Sequence, residues 1–205
     1  MTNQNSVYSV GHSTHSFSTF LALVRDTHIT AIADVRSAPY SRRCPQFNRE
    51  ALQRSLNASR VAYVFMGNAL GGRGTSEAQY DEHGRVQYRY LANSAAFRQG
   101  LLRVRRGSER MRLALMCAES DPLDCHRCIL IGRLLFNQGT PVVHVHADGR
   151  LEAHREAEGR LVRSMGHHQP ELFQSEDQIL SAAYDRQEER IAYVRPNSSE
   201  VAVVQ

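Results

Sequence analysis

Lysine is missing altogether, and all 25 basic residues are arginine. A Schiff-base lysine, the lysine of a phosphate-binding loop and a lysine general base are therefore excluded, because each needs a primary amine. No apolar run approaches the ~20 residues of a membrane-spanning helix, and residues 1–5 carry no charged-then-apolar leader pattern. Cysteine is sparse, at four residues. A soluble, cytoplasmic protein is expected from these absences, with thiols that are inert, catalytic or metal-bound rather than paired as disulfides.

What is present is enough for a folded core: 41% of the 205 residues are apolar, which fits one domain with extensions or two small ones. Exclusive use of arginine fits GC-rich coding, but guanidinium forks also suit phosphate and carboxylate ligands. A net charge of +4 permits nucleic-acid binding without requiring it. Short apolar segments at 6–10, 29–35, 61–66, 113–116 and 141–145 alternate with helical patterns at 19–26, 48–59, 93–106 and 125–137. This alternation predicts an α/β fold, with a mainly parallel sheet of about five strands and helices on both faces. Residues 75–90 read as a long loop and 150–166 as loop or linker. Ser175 with Gln178 three residues on forms a capping box for a C-terminal helix that Pro196 stops. The expected division is an α/β domain over 6–155, then a linker, helix and tail over 156–205.

Chemistry concentrates where strands end. Gly11-His12-Ser13, Asp34-Val35-Arg36 and Cys117-Ala118-Glu119 each close a strand, and Cys125-His126-Arg127 opens the following helix. In open α/β sheets the carboxyl ends of strands are where ligands bind. Together with Leu70-Gly71-Gly72-Arg73 and the run from Leu151 through Glu152, Ala153 and His154 to Arg155, these motifs resemble the bacterial and archaeal family known as domain of unknown function 488. The resemblance covers roughly residues 8–155. It implies a compact α/β domain with a polar pocket, and it assigns no reaction.

The residues themselves suggest roles. With Asp124 as N-cap, Cys125, His126 and Arg127 would fall in the first helical turn, where the helix dipole favours an anion and lowers a thiol pKa. Candidate catalytic groups are His12, Glu119, Cys125 and His126. Candidate anion or ligand contacts are Ser13, Asp34, Arg36, Arg73, Cys117 and Arg127. Plainer readings stand beside these: Asp34 and Arg36 as a buried ion pair, Cys117 as a core residue, His126 as a loop cap, His144 as a satisfied sheet histidine. Arg127 is the least expected as a structural residue, because a cation beside a helix N-terminus opposes the dipole.

Cys125-His126-Arg127-Cys128 forms a C-x-x-C, but the thioredoxin element order fails. A cysteine phosphatase needs an arginine where Leu123 stands, and nothing specific supports sulfur transfer through Cys117. Zinc could use Cys117, Cys125 and His12 or His126, yet no paired metal-ligand signature is present, so no metal is assigned and the cofactor stays unknown. In the tail, Gln169-Pro170-Glu171-Leu172-Phe173 fits the loose pattern of sliding-clamp ligands, through Gln169, Leu172 and Phe173. The alternative is that Leu172 and Phe173 staple the last helix. The leading expectation is an enzyme with a pocket for a phosphate-bearing, nucleotide-like or nucleic-acid ligand. The alternative is a non-catalytic nucleic-acid-binding or clamp-recruited accessory protein, carried by Arg42, Arg43 and Arg49.

Overall fold

The computed structural model describes residues 6–165 and 175–196. In chain order its elements are β1 (Val7–Gly11), α1 (Phe17–Asp26), β2 (Ala31–Asp34), α2 (Arg49–Ala58), β3 (Ala62–Phe65), α3 (Gly67–Leu70), α4 (Tyr88–Asn93), α5 (Ala95–Ser108) and β4 (Leu113–Cys117). A π-helical turn (Arg127–Gly132) then runs into α6 (Arg133–Asn137), followed by β5 (Val142–Val145), β6 (Leu151–Ala153), α7 (His154–Ser164) and α8 (Glu176–Ile191). The sheet has six strands in the order β3-β2-β4-β1-β5-β6. All neighbours are parallel except β6, which runs antiparallel to β5.

Every residue of β1, β2 and β4 is buried. A parallel strand covered on both faces needs apolar side chains at each position, which is why 113–116 reads as an unbroken run. Successive side chains feed opposite cores. Tyr8, Val10, Ile32 and Met116 meet α1 and α2 through Phe20, Val24, Leu52 and Leu56. Ala33, Leu115 and Cys117 instead meet α5, α6, α7 and α8 through Phe97, Leu101, Leu135, Leu161 and Tyr184. Each such large side chain contributes roughly 1.5–3 kcal/mol when fully buried, so these two seams hold the helices more firmly than propensity does. Ser16 caps α1 by accepting from the Thr19 amide at 3.1 Å, and Ser175 and Gln178 form the expected capping box of α8.

The structure departs from expectation first at Tyr88, where α4 begins inside the expected loop 75–90, and again after residue 124. The region 150–166 is not a linker: it holds β6 and α7, and the expected boundary at 155 falls inside α7. The buried face of α7 is His154, Ala157, Glu158 and Leu161, half of it polar, so no apolar period betrays the helix. β6 has only three residues, and its buried side chain is Glu152. α8 docks on the domain: Tyr184 is buried and Gln187 donates to the Leu123 carbonyl at 2.7 Å. Among the described residues no helix is long and apolar enough to cross a membrane.

The topology also places the site. After β2 the chain moves outward to β3, whereas after its neighbour β4 it leaves toward β5 on the far side of β1. Connections that diverge from adjacent parallel strands leave a crevice at their carboxyl ends.

Candidate functional site

A cleft of roughly 300 Å³ opens at the carboxyl ends of β2 and β4. Six residues singled out from the sequence line it: Arg36, Arg73, Cys117, Glu119, Cys125 and His126. Tyr88 of α4, together with Ile191 and Tyr193 at the end of α8, completes the wall. No sequence signal marked these three, because they arrive from distant segments. The Val86 amide, for example, donates to the Tyr193 carbonyl at 2.9 Å.

At the end of β2, Asp34 and Arg36 flank Val35, point the same way and form a buried pair. Arg36 donates from Nε to Oδ1 at 2.9 Å and from Nη2 to Oδ2 at 2.7 Å, while Tyr63 donates its hydroxyl to Oδ2 at 2.8 Å. The Arg36 Nη2 also donates to the Phe47 carbonyl at 2.8 Å, and Nη1 reaches His12 Nε2 at 3.2 Å. Of the five N–H groups a guanidinium carries, one Nη1 N–H has no partner among the described residues, so Arg36 is largely a fixed part of the cleft floor.

His12 is the clearest correction. It is buried, stacks on Phe47 with centroids 4.3 Å apart, and does not line the cleft. Nδ1 donates to the Ser13 carbonyl at 2.8 Å and Nε2 accepts from Arg36, so both nitrogens are committed. Burial, reinforced by the Arg36 charge, pushes its pKa down to about 4. Ser13 likewise works through its backbone, donating to the Ala118 carbonyl at 2.9 Å with φ of +48°. The unfolded chain takes up the His12 proton near pH 6.5, whereas the folded chain does so only near 4. Stability from this group is therefore complete above pH 6.5 and is lost as pH falls toward 4, by about 1.4 kcal/mol per unit. Denaturant titrations from pH 7 to 4.5 should show a shallower slope for His12→Gln than for the natural chain. Equal slopes would remove His12 from the acid response.

The reactive centre lies at the end of β4. Cys125 has extended backbone (φ −141°, ψ 139°), and its carbonyl accepts from the Cys128 and Ile129 amides, so Cys125 occupies the N-cap position. Its sulfur accepts from the Arg127 amide at 3.4 Å, as a capping side chain does. Asp124, the expected cap, instead pairs with Arg190 of α8. His126 Nε2 donates to the Val35 carbonyl at 3.1 Å, which turns Nδ1 toward the sulfurs of Cys125 at 3.7 Å and Cys117 at 3.9 Å. Burial opposes charging Cys125, but the Cys117 thiol, Arg127 and His126 outweigh it and hold Cys125 well below the ordinary thiol range. Cys117, donating to Cys125 and itself buried, is held well above that range. Burial alone would lower the His126 pKa, and the Cys125 thiolate raises it. Burial and the same thiolate raise Glu119, which favours its protonated form.

Arg127 does not line the cleft. It is fully buried and donates to the carbonyls of Glu119 at 2.8 Å and Ser120 at 3.2 Å, so it fixes the loop after β4. The nearest Glu119 carboxyl oxygen is 4.0 Å away, and burial of the cation is offset chiefly by Cys125, then by Cys117 and Glu119. Glycine permits this packing at two points. A Cβ at Gly11 would sit 1.8 Å from the Glu119 carbonyl oxygen, and one at Gly72 would sit 2.9 Å from the His126 ring. Arg73 stands at the exposed rim, its guanidinium 4.3 Å from the Tyr193 ring centroid.

The ligand atoms of Cys117, Cys125 and His126 lie within 4.8 Å of one another, a donor set able to hold a thiophilic metal; His12 is not part of it. Cys125 and Cys128 face different neighbours, so the C-x-x-C is not a facing redox pair. Residues 169–173, with the clamp-like Gln169, Leu172 and Phe173, lie outside the described residues.

Comparison with known proteins adds one match. Residues 16–134, more than half of the chain, match the family described as Domain of unknown function DUF488. The Gly-His-Ser motif and the run at 151–155 lie outside that stretch. No curated protein and no solved structure matches. With Asp-Val-Arg, Gly-Gly-Arg, Cys-Ala-Glu and Cys-His-Arg all inside the matched segment, the chain belongs to the DUF488 family.

Proposed function

We propose that this protein is an enzyme that works by covalent catalysis through Cys125 on a small, anionic, phosphate-bearing substrate of nucleotide-like class. One observation carries the reading: the Cys125 sulfur is held between His126 Nδ1 at 3.7 Å and the Arg127 amide at 3.4 Å, at the floor of an open cleft. A thiolate beside an imidazolium at a helix start is an activated nucleophile. It attacks an electrophilic carbon of the substrate, forming an S–C bond as the bond to the leaving group breaks. Glu119 or His126, each with a raised pKa, acts as the acid that supplies the leaving group with its proton. Water then attacks the same carbon, the thiolate departs, and the proton lost by water returns to the acid. Arg73 at the rim, with the uncommitted N–H of Arg36, supports recognition of the anionic group.

The test is thiol labelling of the full chain at pH 6 with iodoacetamide, mapped by mass spectrometry. Cys125 should react at least tenfold faster than Cys117, Cys125→Ser should abolish that labelling, and a nucleoside monophosphate should protect it. Preferential reaction at Cys117, or labelling indifferent to every phosphate-bearing compound tried, would sink the proposal.

A further inference from the structure

Behind the cleft lies a second cluster that the proposed chemistry does not use. Cys128 in the π-helical turn, His144 in β5 and His154 at the start of α7 are all buried. His144 Nε2 and His154 Nδ1 are 3.0 Å apart, and the Cys128 sulfur lies 3.5 Å from the first and 4.0 Å from the second. Around a tetrahedral ion with metal–nitrogen bonds of about 2.05 Å and a metal–sulfur bond of about 2.3 Å, those edges would be about 3.3 and 3.6 Å. The three donor atoms therefore converge to within a few tenths of an ångström of a metal's ligand edges.

The surroundings fit the same purpose. Histidine ligands are usually oriented by a partner on the other ring nitrogen, and both histidines have one. His144 Nδ1 bonds Ser9 Oγ at 2.7 Å, and His154 Nε2 bonds the Tyr184 hydroxyl at 3.0 Å, which donates onward to Glu158 at 3.0 Å. Gly132 lies against the His154 ring, where a Cβ would stand 3.1 Å from Cε1. The π-helix itself is informative, because π-helical segments are rare and cluster at functional sites.

We propose that Cys128, His144 and His154 form a buried metal site for a thiophilic d10 ion, Zn2+ or Cu+, that ties the π-helical turn, β5 and α7 together. On binding, the Cys128 thiol gives its proton to solvent and both histidines ligate as neutral imidazoles, so one anionic and two neutral donors meet the ion. The sequence hides the site because its three ligands come from three separate elements. The site is independent of the reading given for Cys125.

The experiment is elemental analysis of the full chain, purified without chelator, incubated with Zn2+ or with Cu+ under reductant, and desalted. About one equivalent per chain should remain, and the element retained identifies the ion. Cys128→Ser and His154→Gln should lose it, while the Cys117→Ser/Cys125→Ser double variant keeps it. X-ray absorption on the natural protein needs no variant that might misfold: one sulfur and two nitrogen donors are expected. Two sulfurs and one nitrogen would place the ion on Cys117, Cys125 and His126 and overturn the proposal. So would retention below a tenth of an equivalent of both ions, which would leave the histidines as a hydrogen-bonded chain from Ser9 to Glu158.

Discussion

Replacing Asp34 with alanine is expected to destabilise the protein by about 3–5 kcal/mol. The carboxylate is fully buried and receives Arg36 Nε, Arg36 Nη2, the Arg36 amide and the Tyr63 hydroxyl. Removing it strands a buried guanidinium whose remaining partners, the Phe47 carbonyl and His12, are neutral. In a chain of this length each kcal/mol lowers Tm by about 2–4 °C, so a fall of about 10 °C should be read by calorimetry. The Asp34→Ala/Arg36→Met double variant should recover part of the loss, because the stranded charge is gone. A single variant within about 1 kcal/mol of the natural chain would show that water reaches this pair. The ion pair would then no longer account for the rigidity of the cleft floor.

Arg127→Met should lose stability and reactivity together. The Glu119 and Ser120 carbonyls would be left without their donor, and hydrogen bonds from a charged group contribute roughly 1.5–3 kcal/mol each, so a loss of about 3–6 kcal/mol is expected. Cys125 would also lose a cation that holds its pKa down. Without that cation the thiol is harder to ionise, so alkylation of Cys125 at pH 6 should slow relative to the natural chain. Arg127→Lys separates the two roles: an ammonium keeps the charge but cannot fork to two carbonyls. It should retain most of the reactivity while still losing stability. Unchanged labelling in Arg127→Met would mean that His126 and Cys117 alone activate the thiol.

These two residues also show how far the sequence could be read. Asp34 and Arg36, one residue apart on either side of Val35, were legible as a same-side pair, because strand side chains alternate. The choice between buried ion pair and ligand contact was not, since it turned on Tyr63, Phe47 and His12 arriving from elsewhere. Arg127 was read against the helix dipole and expected to meet a ligand. The Glu119 and Ser120 carbonyls, which fold back from the loop before the helix, take the place of that ligand. His12 sat at a strand end as a base would, and a neighbouring guanidinium occupies the nitrogen it would have used.

Alternation of short apolar runs with helical patterns determined the α/β class and five of the six strands, because burial on both faces or one leaves its period in the chain. Strand-end chemistry likewise marked Arg36, Cys117, Glu119, Cys125 and His126 as neighbours, since parallel strands deliver their carboxyl ends to one edge. Only the tertiary structure decided that Cys125 rather than Asp124 begins the helix, that α7 and α8 belong to the core, and that Tyr88, Ile191 and Tyr193 wall the cleft. It alone turned Cys125 and Cys128 toward different clusters. Hydrogen-bond partners and buried charge depend on which distant segments pack together, and local periodicity carries no record of that.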